Sequence, residues 1–117
     1  MRIETADEAR AKGWYCGPWD SDLNVSIGYA NAGVDEPHLH RQITEIYMMA
    51  RGTAVMRIEE GTVTLLPGQI IVIEPGEAHT FLSSSPDHFH FVIQTPGLHG
   101  EAARADKVSL PRSRLEL

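Results

Sequence analysis

Three histidines and one glutamate carry the residue types a metal site needs. His38-Leu39-His40 sets two imidazoles two residues apart. On an extended strand such side chains share a face. Glu45 follows His40 by five residues, an odd offset. A bend or bulge between Arg41 and Thr44 must therefore return it to the face of the histidines. His79 comes much later, directly after Glu74-Pro75-Gly76-Glu77 and at the mouth of a new strand. Imidazole nitrogens with one carboxylate oxygen suit iron, manganese, nickel, cobalt, zinc or copper, and suit calcium and magnesium less well. With four protein ligands an octahedral ion keeps two positions open, whereas a tetrahedral zinc would be saturated. The His-x-His pair alone fits two surface histidines equally well, so the weight rests on the ordered set.

Other side chains could complete a pocket. Tyr47 and Met49 share the parity of Glu45, and Phe81 shares that of His79. Core filling explains Met49 and Phe81. A buried Tyr47 hydroxyl needs a partner and could meet a substrate, which makes it a catalytic candidate. His88 and His90 share one face of a strand whose other face carries Phe89, Phe91 and Ile93. If the aromatic face is the core, these histidines are exposed; if the polar face looks inward, His90 is a candidate general acid or base. Gln94 has the same parity. Gln42 lies between the ligand candidates and is placed to hydrogen-bond a group beside the ion. Arg41, Arg51 and Arg57 read as solvent-facing. Nothing supplies a separate nucleophile: Cys16 is far from these residues, and there is no G-x-S-x-G elbow and no phosphate-cradling G-x-x-x-x-G-K loop.

The elements that must position these groups are short and extended. Leu23, Val25, Ile27 and Tyr29 alternate with smaller or polar residues. Further strands are expected near 38–42, 45–50, 54–59, 63–66, 70–73, 79–83 and 88–94, separated by breaks rich in Gly, Pro, Asp and Ser. Strands at this spacing, with no long helix between them, predict an antiparallel all-β sandwich or barrel. Thr5-Ala6-Asp7-Glu8 reads as a capping box opening a short N-terminal helix to about Lys12, ended by Gly13. Residues 101–104 could form one helical turn. The sequence of 117 residues, 42% apolar and with a net charge of -6, suits one soluble globular domain and disfavours nucleic-acid or membrane partners. The single cysteine and the absence of an apolar leader at Met1 suggest a cytoplasmic protein.

The ordered set resembles a known family. Residues 33–45, from Gly33 through His38-Leu39-His40 to Glu45 and on to Gly52, resemble the first cupin motif. Residues 68–79, from Gly68 through Pro75-Gly76 to His79, resemble the second. Departures fall outside the ligand positions: a spacer of four residues before His38, Gln69 and Glu74 in place of the usual Asp and Pro, and Ser83 where Asn is common. The resemblance implies a double-stranded β-helix, a jelly-roll-like cupin barrel of the RmlC type, over residues 21–96. Residues 1–20 would be lead-in and 97–117 a tail. It also implies a divalent transition metal on His38, His40, Glu45 and His79. The expected function is that of a metal-dependent enzyme acting on a small oxygen-rich molecule, of dioxygenase, isomerase or lyase type. The alternative is a non-catalytic module binding a carbohydrate or other small molecule. Exposed sheet edges suggest a homodimer.

Overall fold

The computed structural model describes residues 1–33 and 35–117. Val34, in the spacer of the first motif, lies outside the described residues. Ten strands form two five-stranded sheets: β1 (Lys12–Cys16), β2 (Ser26–Ala30), β3 (His38–His40), β4 (Thr44–Arg51), β5 (Ala54–Ile58), β6 (Gly61–Leu65), β7 (Ile70–Ile73), β8 (His79–Ser84), β9 (Phe89–Thr95) and β10 (Lys107–Ser109). One sheet runs β1-β2-β9-β4-β7 and the other β10-β3-β8-β5-β6. Every pairing is antiparallel. This is the double-stranded β-helix expected from the motifs. Helix α1 (Gly100–Asp106) and a 3-10 turn (Arg112–Leu115) complete the chain.

Period-two alternation decides which side chains enter. On β4, Glu45, Tyr47 and Met49 are buried while Thr44, Ile46 and Met48 are half-buried. Tyr47, Met49, Ala54, Met56, Leu65, Ile73 and Phe81 form the apolar core between the sheets. Outer faces are left wet. Ile70 and Val72 on β7 are 60% and 46% exposed.

Two turns require glycine. Glu74 to Glu77 closes with Glu77 N–H donating to Glu74 O at 3.1 Å, and Gly76 sits at φ 86. That is a type II turn with proline and glycine at their preferred positions. Gly76 N–H also donates to His40 O at 2.7 Å, fastening the turn to β3. Gly52, between β4 and β5, has φ 72, and a Cβ there would clash with Ser85 Oγ.

The expected helix over 5–12 is not formed. Asp7 makes a local turn: Ala9 N–H donates to its Oδ1 and Arg10 N–H to its carbonyl. The chain then enters β1, which pairs with β2. A two-turn helix is marginal in water, and pairing along β2 outweighs the local capping signal. Among the described residues the α-helix lies instead at α1, where a single turn was expected. Residues 1–20 and 97–117 each add an edge strand, β1 and β10. Leu115 in the tail is buried against its own chain.

Candidate metal centre

The site is built where β3, β4 and β8 meet. His38 pairs directly with His79 across β3 and β8. His38 and His40 are both buried, with half-buried Leu39 between them, as their parity on one strand demands. The bend expected after His40 is present at 41–43, and it has an identifiable cause. Asp106, at the end of α1, accepts from Gln42 N–H at 2.7 Å and Ile43 N–H at 3.3 Å through Oδ1. Arg41 N–H donates to the Asp106 carbonyl at 2.9 Å. With three successive N–H groups held by one residue, the chain turns and Glu45 re-enters on the histidine face.

The four candidate ligands come together. Their ligand atoms all lie within 4.8 Å of one another, and all four residues are buried. Each Nδ1 faces an oxygen on the outer side: Glu36 O at 2.8 Å for His38, Asp106 Oδ2 at 2.9 Å for His40, and Glu77 O at 2.9 Å for His79. Those oxygens only accept, so the Nδ1 atoms carry the protons. The Nε2 atoms turn inward toward Glu45 Oε1, at 3.0 Å from His79, 3.4 Å from His40 and 3.9 Å from His38. His40 Nε2 is buried with no hydrogen-bond partner. Each Nε2 can thus offer a lone pair to a cation or, when its ring is charged, a proton to the carboxylate, and a cation between the four groups would also satisfy His40 Nε2. This donor set fits a borderline divalent metal.

The carboxylate is held on both oxygens. Tyr47 O–H donates to Oε1 at 2.8 Å, and Gln94 Nε2–H donates to Oε2 at 2.8 Å. Gln94 stands directly opposite Glu45 on β9. Burial alone would raise the Glu45 carboxyl, but the three imidazoles on it outweigh burial and hold it well below the usual carboxylate range. Burial and the neighbouring Glu45 push the Tyr47 hydroxyl well above its ordinary value, so it stays a donor. For His40, burial opposes protonation, yet Glu45 and Asp106 raise it on balance.

A cavity of about 480 Å³ lies against these residues and reaches the edge strands. Tyr47, His90 and Gln94 line it beside the ligands. The polar face of β9 looks inward: His88 and His90 are 1% and 3% exposed. On the opposite aromatic face Phe89 stacks on Tyr29 of β2 and Phe91 lies beside Tyr15 of β1, and Asp7 of the N-terminal segment bonds the Tyr29 hydroxyl. His90 Nδ1 and His88 Nε2 are hydrogen-bonded at 2.6 Å. The His90 ring stacks on Phe81 and meets Tyr47 edge-on. Burial first, and His88 second, lower His90 to about 4. Gln42 is exposed on the bend, and its backbone N–H bonds Asp106; the side-chain amide on the carboxylate is that of Gln94. The residue that sequence reasoning missed is Asp106. Its signal was an acidic side chain at the C-terminal end of a helix, where the dipole disfavours it.

The sequence profile of the Cupin_2 family, described as a cupin domain, matches residues 27–94, over half of the chain. No curated protein sequence matches it. Among solved structures, Pac13 from Streptomyces, described as a unique nucleoside dehydratase, superposes with a TM-score of 0.70 at 11% identity, over 94% of this chain and 91% of that one. A cupin protein from Bacteroides fragilis gives 0.64 at 23% identity, over 86% and 88%. KdgF from Halomonas sp. gives 0.62 at 17% identity, over 73% and 78%.

Proposed function

Because the chain belongs to the cupin family, we propose that it is a metal-dependent enzyme whose His38, His40, Glu45 and His79 hold a divalent transition metal, with a small oxygen-rich organic molecule bound in the adjoining cavity. One observation carries this reading: three buried imidazole nitrogens and a carboxylate oxygen converge within 4.8 Å, and His40 Nε2 among them has no hydrogen-bond partner. A metal bound there supplies Lewis-acid polarisation of a carbonyl or enol oxygen.

The chain's own residues define the rest of the chemistry. Tyr47 and Gln94 fix the Glu45 carboxylate, so its lone pairs are aimed before anything binds. Phe81 and Tyr47 hold the His90 ring at the cavity wall. His90 is neutral at pH 7, because burial keeps its proton affinity low. With Nδ1 engaged by His88, its Nε2 is the nitrogen left to exchange a proton with a bound molecule. Tyr47, kept protonated, serves as a donor. Pac13, a dehydratase on a similar fold, supports turnover of an oxygen-rich molecule on such a scaffold.

Elemental analysis of protein purified without a chelating tag tests the centre. About one equivalent of a transition metal is expected, lost in His79→Ala. Protein that stays below about a tenth of an equivalent after incubation with iron, manganese, nickel and zinc rejects the reading. Metal-dependent binding without turnover would favour the non-catalytic alternative.

A further inference from the structure

We infer that the cavity takes an organic anion, whose carboxylate or phosphate group is held at the mouth by Lys12 and Lys107, with Arg10 beside them, while another oxygen reaches the His38, His40, Glu45 and His79 cluster. The second half of this statement rests on the proposed metal centre; the first does not.

Residues of two edge strands, one from each sheet, line the cavity. Lys12 and Trp14 on β1 line it from one sheet, and Lys107 on β10 lines it from the other. Register ties both lysines to the site. Lys107 pairs with His40, and Lys12 pairs with Ala30, which in turn pairs with His90. All three cations are exposed.

Their lack of partners is the second observation. Arg2, Arg51, Arg57 and Arg114 each pair with a carboxylate. Among the described residues, Arg10, Lys12, Arg41, Arg104, Lys107 and Arg112 have no carboxylate within salt-bridge distance, and of these six Arg10, Lys12 and Lys107 are the ones that line the cavity. The anions that line the cavity are engaged elsewhere. Glu45 faces the imidazoles, and Asp35 Oδ1 accepts from Thr80 Oγ1 at 2.6 Å and Phe81 N–H at 2.9 Å. A chain of net charge -6 would repel an incoming anion in general, so three unpaired cations at one opening reverse the local field. These cations lie outside the matched family region of 27–94. They are therefore features of this chain's flanks.

Trp14 reports the local field without a known ligand, since it lines the cavity and is 50% exposed. In a Trp19→Phe background, chelator-treated protein is quenched with iodide and with caesium. With each ion's quenching normalised to that of free N-acetyltryptophanamide, iodide is expected to quench Trp14 several-fold better than caesium, and Lys12→Gln with Lys107→Gln should abolish that normalised preference. Equal normalised quenching by caesium and iodide overturns the positive mouth, whatever the metal does. Calorimetry on metal-loaded protein then compares gluconate, glucose 6-phosphate and the uncharged glucitol. Tighter binding of gluconate assigns a carboxylate, tighter binding of glucose 6-phosphate a phosphate, and the double variant should weaken either by about tenfold. If neither anion binds better than glucitol, or the double variant binds the anions unchanged, the ligand class is wrong.

Discussion

Glu45 has its two oxygens held by different neutral donors, Tyr47 O–H on Oε1 and Gln94 Nε2–H on Oε2, so the carboxylate is oriented by groups that carry no charge to compete with a cation. Removing one donor should loosen it. Tyr47→Phe is expected to lower transition-metal affinity by about 10–100-fold with little change in fold. Competition against a chromogenic chelator measures this, and unchanged affinity would remove Tyr47 from the site. His90 makes a second residue-level statement. Its folded value of about 4 lies below the ordinary 6.5. Above 6.5 neither folded nor unfolded chain carries the proton. As pH falls from 6.5 toward 4 the unfolded chain takes it up first, so stability drops by about 3 kcal/mol across that window. Urea unfolding in chelator should show a shallower decline for His90→Gln between pH 7 and pH 4.5. Parallel decline in the two proteins would mean that His90 is not held neutral by burial.

Among the elements, the 41–43 bend shows what local pattern can and cannot reveal. The odd spacing of His40 and Glu45 demands a bend, and period two alone shows this. Its cause is Asp106, more than sixty residues away, which no local rule connects to it. Strands β2 to β9 were legible because each alternates or is bounded by turn residues. Edge strands β1 and β10 were not, because Lys12–Cys16 and Lys107–Ser109 are short and take their conformation from β2 and β3. The capping box read at Thr5-Ala6-Asp7-Glu8 opens no helix: a local turn forms at Asp7 and sheet pairing takes the chain onward. Likewise the orientation of His88 and His90 depended on Tyr15 and Tyr29 packing on the aromatic face, a long-range fact. Asp106 yields a discriminating test. In Asp106→Asn an amide nitrogen must face either His40 Nδ1–H or the N–H groups of the bend, so one donor meets another. If it faces His40, the ring shifts its proton to Nε2 and loses the inward lone pair. Metal affinity should fall by about 10–100-fold, with altered His40 ring nitrogen shifts in NMR. Wild-type affinity and shifts would reduce Asp106 to a helix-end residue. At Gly52, the positive φ and the close Ser85 Oγ predict that Gly52→Ala costs at least about 1 kcal/mol in chemical unfolding; an unchanged midpoint would contradict it.

Seen as a whole molecule, the four candidate ligands belong to both sheets: Glu45 to the one containing β4, and His38, His40 and His79 to the one containing β3 and β8. In the metal-free chain the sheets are joined by the apolar core and by the imidazoles that surround the Glu45 carboxylate. A cation there adds a cross-link between the layers. Binding to the folded chain alone adds RT ln(1 + [M]/Kd), about 2.7 kcal/mol at a hundredfold excess over Kd. For a domain of this size that is on the order of 10 °C in Tm. Scanning calorimetry with and without a chelator should show this rise in the wild type and lose it in Glu45→Gln. Hydrogen exchange supplies the location. Protection should grow in β3, β4 and β8, which carry the ligands, and little in β6, which lies across β5 from them. A Tm indifferent to chelator, or protection spread evenly over all ten strands, would show that no cation joins the sheets at this site.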